Sequence, residues 1–248
     1  MKKPLHLTEE LSGSGRKAII LSSGGVDSTT CVALAVDSYG VDNVSTVSFF
    51  YGQKHDKELV CADKIAKHYG INHYEFDVSS IMQYSNCALL KGSDNQIEHR
   101  SYADQLSEGH KVVSTYVPFR NGLFLSIAAS LALSVYPDDE VDIIIGAHAD
   151  DAAGRAYADC TDNFVSYMAA AIYEGTYDKV RVVAPLIYNN KAQVVARGLK
   201  VGAPYELSWS CYEGGEKACG TCATCIDRLN AFKQNGMNDP IEYENEVK

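Results

Sequence analysis

Residues 18–30, with the sequence AIILSSGGVDSTT, decide the fold of this chain. Residues 18–21 are continuously apolar, which is typical of a strand buried on both faces of a sheet. Residues 22–25 then predict a tight glycine turn, and a helix follows to about residue 36. A strand, a glycine turn and a helix in this order indicate the first unit of an α/β protein.

The same alternation continues along the chain. We predict strands over 44–51, 73–78, 141–146 and 180–183, and helices over 56–69, 121–136, 161–174 and 191–201. Strands separated by helix-length segments pair in parallel with right-handed crossovers, so the expected fold class is α/β with a doubly wound parallel sheet. The expected domains are an α/β domain over 17–205, a small C-terminal module over 206–236 packed on it, and flexible tails over 1–16 and 237–248.

The stretch 79–115 has polar clusters and no sustained hydrophobic period. Loops of this length in compact domains are uncommon and often serve as lids or binding loops. A lid over the sheet edge and plain disorder therefore both remain open here.

Composition limits the possible functions. The chain has 248 residues, 46% of them hydrophobic, and a net charge of −10. This excess of acidic residues argues against a nucleic-acid surface, which needs clustered positive charge. The N-terminus lacks the apolar core of a signal peptide, and no segment has the ~20 uninterrupted apolar residues of a membrane span. We expect a soluble, cytoplasmic protein with small-molecule partners, without nucleic-acid or membrane partners, and a homodimeric assembly, although the sequence does not fix the oligomeric state.

The glycine turn is a candidate phosphate site, since ligands of parallel α/β sheets bind where strands end and helices begin. Ser23, Gly24 and Gly25 let backbone N–H groups approach an anion at a helix N-terminus. Asp27 adds a carboxylate for Mg²⁺, and Ser28, Thr29 and Thr30 add hydroxyls. The spacings of the Walker loop and of GxGxxG are absent. An ordinary tight turn with an Asp/Ser helix cap is the alternative interpretation.

The full string SGGVDS resembles the pyrophosphate loop of the N-type ATP pyrophosphatases, which cleave ATP between the α- and β-phosphates and transfer AMP to an acceptor oxygen. The resemblance implies an ATP-binding segment made of Ser22, Ser23, Gly24, Gly25, Val26, Asp27, Ser28, Thr29, Thr30, Cys31 and Val32.

Four of the eight cysteines lie close together near the C-terminus, with the spacing Cys-x7-Cys-x2-Cys-x2-Cys. Four thiolates around a tetrahedral Zn²⁺ form a closed structural site, so one zinc ion per chain is the expected cofactor. An iron–sulfur cluster also suits this spacing, and two redox-active disulfides are a further alternative. The predicted ligands are Cys211, Cys219, Cys222 and Cys225.

Several further segments occur in a fixed order: YGQKH at 51–55, VPFRN at 117–121, GAHADD at 146–151, YADC at 157–160, WSCYEGG at 209–215 and CGTCATC at 219–225. Together with SGGVDS they resemble the 7-cyano-7-deazaguanine synthase family of queuosine biosynthesis over nearly the whole chain. Ala158 stands where the family commonly has proline, and Ser208 where it has threonine; neither change removes a functional group.

The resemblance implies a ligase that converts 7-carboxy-7-deazaguanine and ammonia to the nitrile, with Mg-ATP as cosubstrate, through adenylated carboxylate and amide intermediates. The implied catalytic residues are Asp27, Ser28, Arg120 and Lys191. For Arg120 the alternative is a cap on a buried helix, and for Lys191 it is an exposed lysine. The resemblance also implies six substrate residues: Tyr51, Gln53, Asn121, Asp151, Tyr157 and Asp159. Of these, Asp151 and Asp159 would bind either Mg²⁺ or the substrate base.

Two other functions stay open from the sequence: a tRNA-modifying thiolase of the same superfamily, which should carry a basic face, and a protein that holds nucleotide without turnover. The histidines His55, His110 and His148 lack the spacing of metal ligands. We interpret them as surface or packing residues.

Overall fold

The computed structural model describes residues 7–8, 11–13, 15–107, 112–153 and 156–244. In this part of the chain six strands form one parallel sheet in the order β1-β6-β5-β2-β3-β4. The strands are β1 Leu7–Thr8, β2 Lys17–Leu21, β3 Val44–Phe50, β4 Asn72–Asp77, β5 Val141–Ile144 and β6 Val180–Val183. The helices are α1 Val26–Tyr39, α2 Lys57–Tyr69, α3 Ser79–Met82, α4 Tyr102–Ser107, α5 Arg120–Val135, α6 Ala149–Ala152, α7 Asp162–Gly175, α8 Lys191–Lys200 and α9 Ala223–Gln234.

Alternate residues of the central strand β2 supply two separate cores. Ile19 packs in the core that includes Leu125 of α5 and Val165 of α7. Its neighbour Ile20 packs on the other face, in the core that includes Val32 of α1 and others from α8 and α9. Because strand side chains alternate between faces, a continuous apolar run is needed when both faces are covered. The predicted doubly wound sheet is confirmed.

The predicted strands and helices from residue 17 onward are all present, with ends shifted by at most three residues. The sequence interpretation missed β1, which pairs in parallel with β6. Two residues without an apolar period give no strand signal, and this pairing depends on the neighbouring strand. No helix among the described residues is both long and apolar enough to cross a membrane.

The described part of the 79–115 stretch packs on the sheet edge. It contains α3 and α4, and residues 87–90 between them are buried. Leu90 bridges to Gln53, and the Ala88 N–H donates to the Ser114 carbonyl. Disorder therefore does not describe these residues, because apolar burial and backbone hydrogen bonds hold them in place. His110 lies outside the described residues.

The C-terminal segment is tied to the rest of the chain at several points. The Trp209 N–H donates to the Gly24 carbonyl at 2.8 Å, and α9 packs against α8. Arg228 of α9 is fully buried and donates to both carboxylate oxygens of Asp239 at 2.6 and 2.9 Å. Tyr243 donates to the same carboxylate. These contacts differ from the flexible tail expected after residue 236, because the buried Arg228 needs a charge partner, and Asp239 lies in that segment.

Candidate active site and metal centre

A cleft lies at the carboxyl ends of β2, β3 and β5. The chain leaves β2 toward β3 on one side, while β5 lies on the other side of β2, so this is a topological switch point of the sheet. Such points are where ligands bind in open α/β sheets. The cleft is lined by Leu21, Ser22, Ser23, Asp27, Ser28, Val47, Phe49, Tyr51, Gln53, Glu58, Leu59, Arg120, Asn121, Phe124, Ile145, Gly146, Ala147, Asp151 and Cys160.

The glycine loop between β2 and α1 has a fixed conformation. Gly24 has a φ of +79°, and a Cβ there would lie 2.1 Å from the Glu58 carbonyl oxygen. Only glycine allows both this left-handed backbone and this contact with α2. The Ser28 hydroxyl accepts from the Ser23 N–H at 3.2 Å and donates to the Gly25 carbonyl at 3.1 Å. The turn is therefore held open toward the cleft at the N-terminus of α1.

The structure separates the expected ATP-binding segment into two parts. Four of its residues line the cleft: Ser22, Ser23, Asp27 and Ser28. Other residues of the segment point away from the cleft, because α1 directs their side chains into the core that contains Ile20. The Thr30 hydroxyl lies 2.7 Å from the Tyr205 hydroxyl, and the Thr29 hydroxyl donates to the Gly25 carbonyl at 2.7 Å. The residues packed in that core are Val26, Cys31 and Val32.

Lys191 reaches the glycine loop from α8. Asn190 and Gln193 form a capping box that fixes where this helix begins. The Lys191 Nζ lies 2.8 and 2.7 Å from the two oxygens of Asp27. Its side chain is 16% exposed, so it is a mostly buried cation rather than a free surface lysine.

His148 completes this charged group at the end of β5. Its imidazole is 2% exposed, and its Nε2 lies 3.3 Å from an Asp151 oxygen and 3.5 Å from an Asp27 oxygen. Among the described residues nothing bonds to its Nδ1. Of the two interpretations of His148, surface or packing residue, the structure agrees with burial, and the turn after β5 brings the imidazole between the two carboxylates.

Electrostatics keep Asp27 and Lys191 charged. Burial alone would raise the pKa of Asp27, but Lys191 and His148 outweigh that effect and lower it. Burial would likewise lower the pKa of Lys191, and Asp27 and Asp151 raise it instead. Nearby on α9, burial raises the pKa of Asp227 to about 6, against the opposing effect of Lys191. The glycine loop therefore lies beside the Lys191 cation, which is already paired with Asp27.

Arg120 is the first residue of α5 and lines the opposite wall of the cleft. Its Nη1 donates to the Tyr51 hydroxyl at 3.4 Å, and its guanidinium lies 5.5 Å from the centre of that ring. An arginine at a helix N-terminus opposes the helix dipole, so a simple capping role is unfavourable there. Together, the guanidinium and the helix end form a positive wall facing the glycine loop.

The expected substrate residues divide in the same way. Tyr51, Gln53, Asn121 and Asp151 line the cleft, whereas Tyr157 and Asp159 lie behind it. The Gln53 Oε1 accepts from the Tyr51 N–H at 2.8 Å, so this side chain also holds the end of β3.

The two residues behind the cleft support its walls. One Asp159 oxygen accepts from the Asn121 N–H at 3.0 Å at the start of α5. The Tyr157 hydroxyl lies 2.6 Å from the Thr115 hydroxyl and 3.3 Å from the Tyr212 hydroxyl. Asp159 and Tyr157 therefore act on the cleft through the elements they position.

Among the cleft residues that the sequence interpretation did not assign to the site are Glu58 and the two aromatic residues Phe49 and Phe124. Phe124 stacks on Phe49 with ring centroids 4.1 Å apart, which gives the cleft an aromatic wall. Burial raises the pKa of Glu58 to about 7, although Arg120 opposes the shift. A charged residue in the first turn of an amphipathic helix gives no signal of such an environment.

The four C-terminal cysteines converge as the spacing predicts. Their sulfur atoms all lie within 4.8 Å of one another, and all four residues are buried. The Cys219 and Cys225 sulfurs are 3.9 Å apart, close to the ~3.8 Å expected between two thiolates bound at ~2.3 Å to one tetrahedral zinc ion. All described cysteines are free thiols, so the alternative of two disulfides is not formed. The group can hold one metal ion.

The cysteine group is connected to the glycine loop through α2. Lys57 Nζ lies 3.4 Å from the centre of the Trp209 ring and donates to the carbonyls of Gly215 and Glu216. Trp209 itself bonds the backbone of Gly24. The cysteine group is therefore linked to the loop that lines the cleft.

Comparison with known proteins agrees with this arrangement. The family described as "Queuosine biosynthesis protein QueC" matches residues 17–236. A protein of Thermoplasma acidophilum named 7-cyano-7-deazaguanine synthase is 42% identical over 235 residues, covering 92% of each chain. A protein of the same name from Archaeoglobus fulgidus is 38% identical over 237 residues, covering 94% of each. A third, from Oceanobacillus iheyensis, is 38% identical and covers 93% of this chain and 99% of its own. The chain therefore belongs to the family of the queuosine biosynthesis protein QueC.

Proposed function

We propose that this chain is an ATP-dependent ligase that converts 7-carboxy-7-deazaguanine and ammonia to 7-cyano-7-deazaguanine, with consumption of two ATP. The observation that carries the proposal is the cleft at the sheet's switch point, which is lined by first-turn residues of both α1 and α5. Backbone N–H groups at these two helix N-termini, with Arg120 in the cleft and Lys191 on Asp27, offer positive charge to an anion. A carboxylate and a triphosphate both suit such a site.

The first chemical step activates the carboxylate. A carboxylate oxygen is a poor leaving group, so it attacks the α-phosphorus of ATP and displaces pyrophosphate. Backbone N–H groups at Ser23–Gly25 would bind the pyrophosphate, and Lys191 would lie against the α-phosphate while Asp27 holds it in place. Arg120 would orient the substrate carboxylate from the opposite wall. Fixed charges of this kind stabilise developing negative charge in a transition state.

The remaining steps reuse the same site. Ammonia attacks the carbonyl carbon of the mixed anhydride, AMP leaves, and the amide forms. The amide oxygen then attacks the α-phosphorus of a second ATP and displaces pyrophosphate, and loss of AMP together with the two protons of the amide nitrogen gives the nitrile. The aromatic wall of Phe49 and Phe124 would exclude water from the acyl-adenylate, which hydrolysis would otherwise destroy.

Two metal ions fit the residues present. Zinc would be held by Cys211, Cys219, Cys222 and Cys225, and it would supply folding energy only, since four protein ligands leave no open position. Magnesium would enter with ATP and neutralise phosphate charge. Asp151, which lines the cleft with a partly exposed carboxylate, is the better placed protein ligand, because Asp27 is already bound by Lys191.

The other expectations stay part of this proposal. The chain would work in the cytoplasm on small molecules, without nucleic-acid or membrane partners, as a homodimer. A net charge of −10 disfavours the thiolase alternative, which would need a basic face for RNA.

The direct test incubates the purified protein with ATP, ammonium and 7-carboxy-7-deazaguanine and follows the product by mass spectrometry. We expect the nitrile, with two AMP released per product. Omitting ammonium should stop product formation while pyrophosphate exchange into ATP continues. No AMP and an unchanged acid would defeat the proposal, and accumulation of the amide alone would reduce the function to the first half-reaction. Sedimentation velocity of the same sample tests the homodimer.

A further inference from the structure

Glu58 lies in the first turn of α2 and lines the cleft between the glycine loop and Arg120. Its own carbonyl contacts Gly24, so the backbone position of this residue is fixed against the loop. Within the part of the chain that the structure describes, its carboxylate makes no hydrogen bond and no salt bridge. Every other charged group named in the cleft has a bonded partner.

An unpartnered carboxylate in a desolvated wall costs free energy, and such groups concentrate at functional sites. Burial raises its pKa to about 7, and Arg120 of α5 acts in the opposite direction. The other titratable groups that sense its charge are Tyr51, after β3, and Cys61 on α2 itself. A base with a pKa near the working pH combines a usable basic form with an adequate affinity for protons.

We propose that Glu58 is the proton acceptor of the ammonia-consuming step, a role that rests on the function proposed above. At neutral pH ammonia is present mostly as ammonium, which has no lone pair to attack with. The Glu58 carboxylate takes one proton from ammonium, and the free lone pair attacks the carbonyl carbon of the acyl-adenylate. The carbon–oxygen bond to AMP breaks, AMP leaves with the electron pair, and the second proton of the nitrogen passes to water. Glu58 then releases its proton to solvent.

The same carboxylate could instead accept a hydrogen bond from an N–H of the purine-like substrate or of adenine. That role would act on substrate binding and on adenylation, before ammonia takes part. The two roles therefore separate by step, and the test uses this separation.

The test compares the wild type with Glu58→Gln, which keeps the shape and removes the basic oxygen. Exchange of pyrophosphate into ATP with the carboxylic acid and no ammonia should stay within about two-fold of wild type. Amide formation from ammonium should fall ~100-fold or more, the usual effect of losing a positioned base. Glu58→Asp, which keeps a base one methylene further back, should recover part of the lost rate. The matched control is Glu75→Gln, an exposed glutamate on β4, which should leave both rates unchanged.

The decisive comparison replaces ammonium by hydroxylamine as the nucleophile. Hydroxylamine is mostly unprotonated at neutral pH, so it needs no base to free its lone pair. With hydroxylamine, Glu58→Gln should form the hydroxamate at a rate within about ten-fold of wild type. In wild type the ammonium rate should also rise as pH passes about 7, where Glu58 loses its proton. The variant should lack this inflection and keep only the slope set by free ammonia.

Three results would overturn the role. One is an unchanged ammonium rate in Glu58→Gln; another is an equal loss with ammonium and hydroxylamine. The third is loss of pyrophosphate exchange in a folded variant, which would make Glu58 a substrate-binding residue. If the wild type itself shows no exchange with the acid, the proposed function fails instead, and this outcome is distinct from the other three.

Discussion

The Lys191 ammonium bonds both carboxylate oxygens of Asp27, at 2.8 and 2.7 Å, across 164 residues of sequence. This pair joins the first turn of α1 to the first residue of α8. Asp27 is therefore first a partner that fixes Lys191, and its carboxylate is not free for a metal ion in this state. Loss of either residue leaves the other as a poorly compensated charge in a largely buried place.

A double-mutant cycle tests this pair. Asp27→Asn and Lys191→Met should each lower the free energy of unfolding by about 1–3 kcal/mol, because each leaves a charged partner unsatisfied. The double variant should lose less than the sum, with a coupling of about 0.5–3 kcal/mol measured by urea unfolding. Both single variants should also lose ~100-fold or more in pyrophosphate exchange, since the α-phosphate loses its fixed cation.

The control for that cycle is Lys64→Met, which removes an exposed lysine of α2. It should change stability by less than about 0.5 kcal/mol. Strictly additive effects of Asp27→Asn and Lys191→Met would contradict an energetic link between them.

Gly24→Ala tests the glycine loop. A methyl group there would sit 2.1 Å from the Glu58 carbonyl oxygen on a backbone with φ +79°. We expect the loop to move away from α2 and ATP affinity to fall at least ten-fold by calorimetry. Gly70→Ala is the matched control, because Gly70 has a φ of +69° but open space around its Cβ position. Gly70→Ala should lower the free energy of unfolding by about 1–2 kcal/mol, the cost of a left-handed backbone in alanine, and should leave ATP affinity unchanged. Equal ATP affinities for the two variants would show that the close contact with α2 is unimportant.

Cys222→Ser tests the metal centre. Purified wild type should be colourless and contain one zinc per chain by inductively coupled plasma mass spectrometry. The variant should lose the metal and unfold at a lower temperature, because structural zinc binding contributes folding energy. Cys87→Ser, at a buried cysteine outside the group, should keep its zinc. Absorbance near 400 nm that bleaches on reduction would replace zinc by an iron–sulfur cluster.

Truncation after Gly236 tests the C-terminal segment. It removes Asp239 and Tyr243 and leaves the fully buried Arg228 without its carboxylate. Stripping the partner from a buried charge costs about 3–5 kcal/mol, so the midpoint of urea unfolding should fall clearly. Removal of residues 245–248 alone keeps Asp239 and should leave the midpoint unchanged. If the protein truncated after Gly236 unfolds at the same urea concentration as the full-length protein, the segment after Gly236 is a freely flexible tail.

The local patterns of the sequence were sufficient for most elements. The apolar run before the glycine turn predicted β2, and its continuous character predicted burial on both faces. The cysteine spacing predicted which four sulfurs meet, because a short segment with glycines has few ways to close on one ion. β1 was missed because a two-residue strand depends on the neighbour it pairs with. The expected ATP-binding segment included Cys31 and Val32, whose side chains the helical periodicity of α1 directs into the core.

By itself the sequence determined the order of strands and helices, the glycine loop, the cysteine group and the resemblance to a family. Each of these features depends either on residues that are close together in the sequence or on the order of several motifs. The tertiary structure alone decided that Lys191 holds Asp27, that His148 lies between two carboxylates, and that Glu58 lines the cleft with no bonded partner among the described residues. The physical reason is that ion pairing and the pKa of a carboxyl depend on distance and on the water that packing removes, and both are set by residues far apart along the chain.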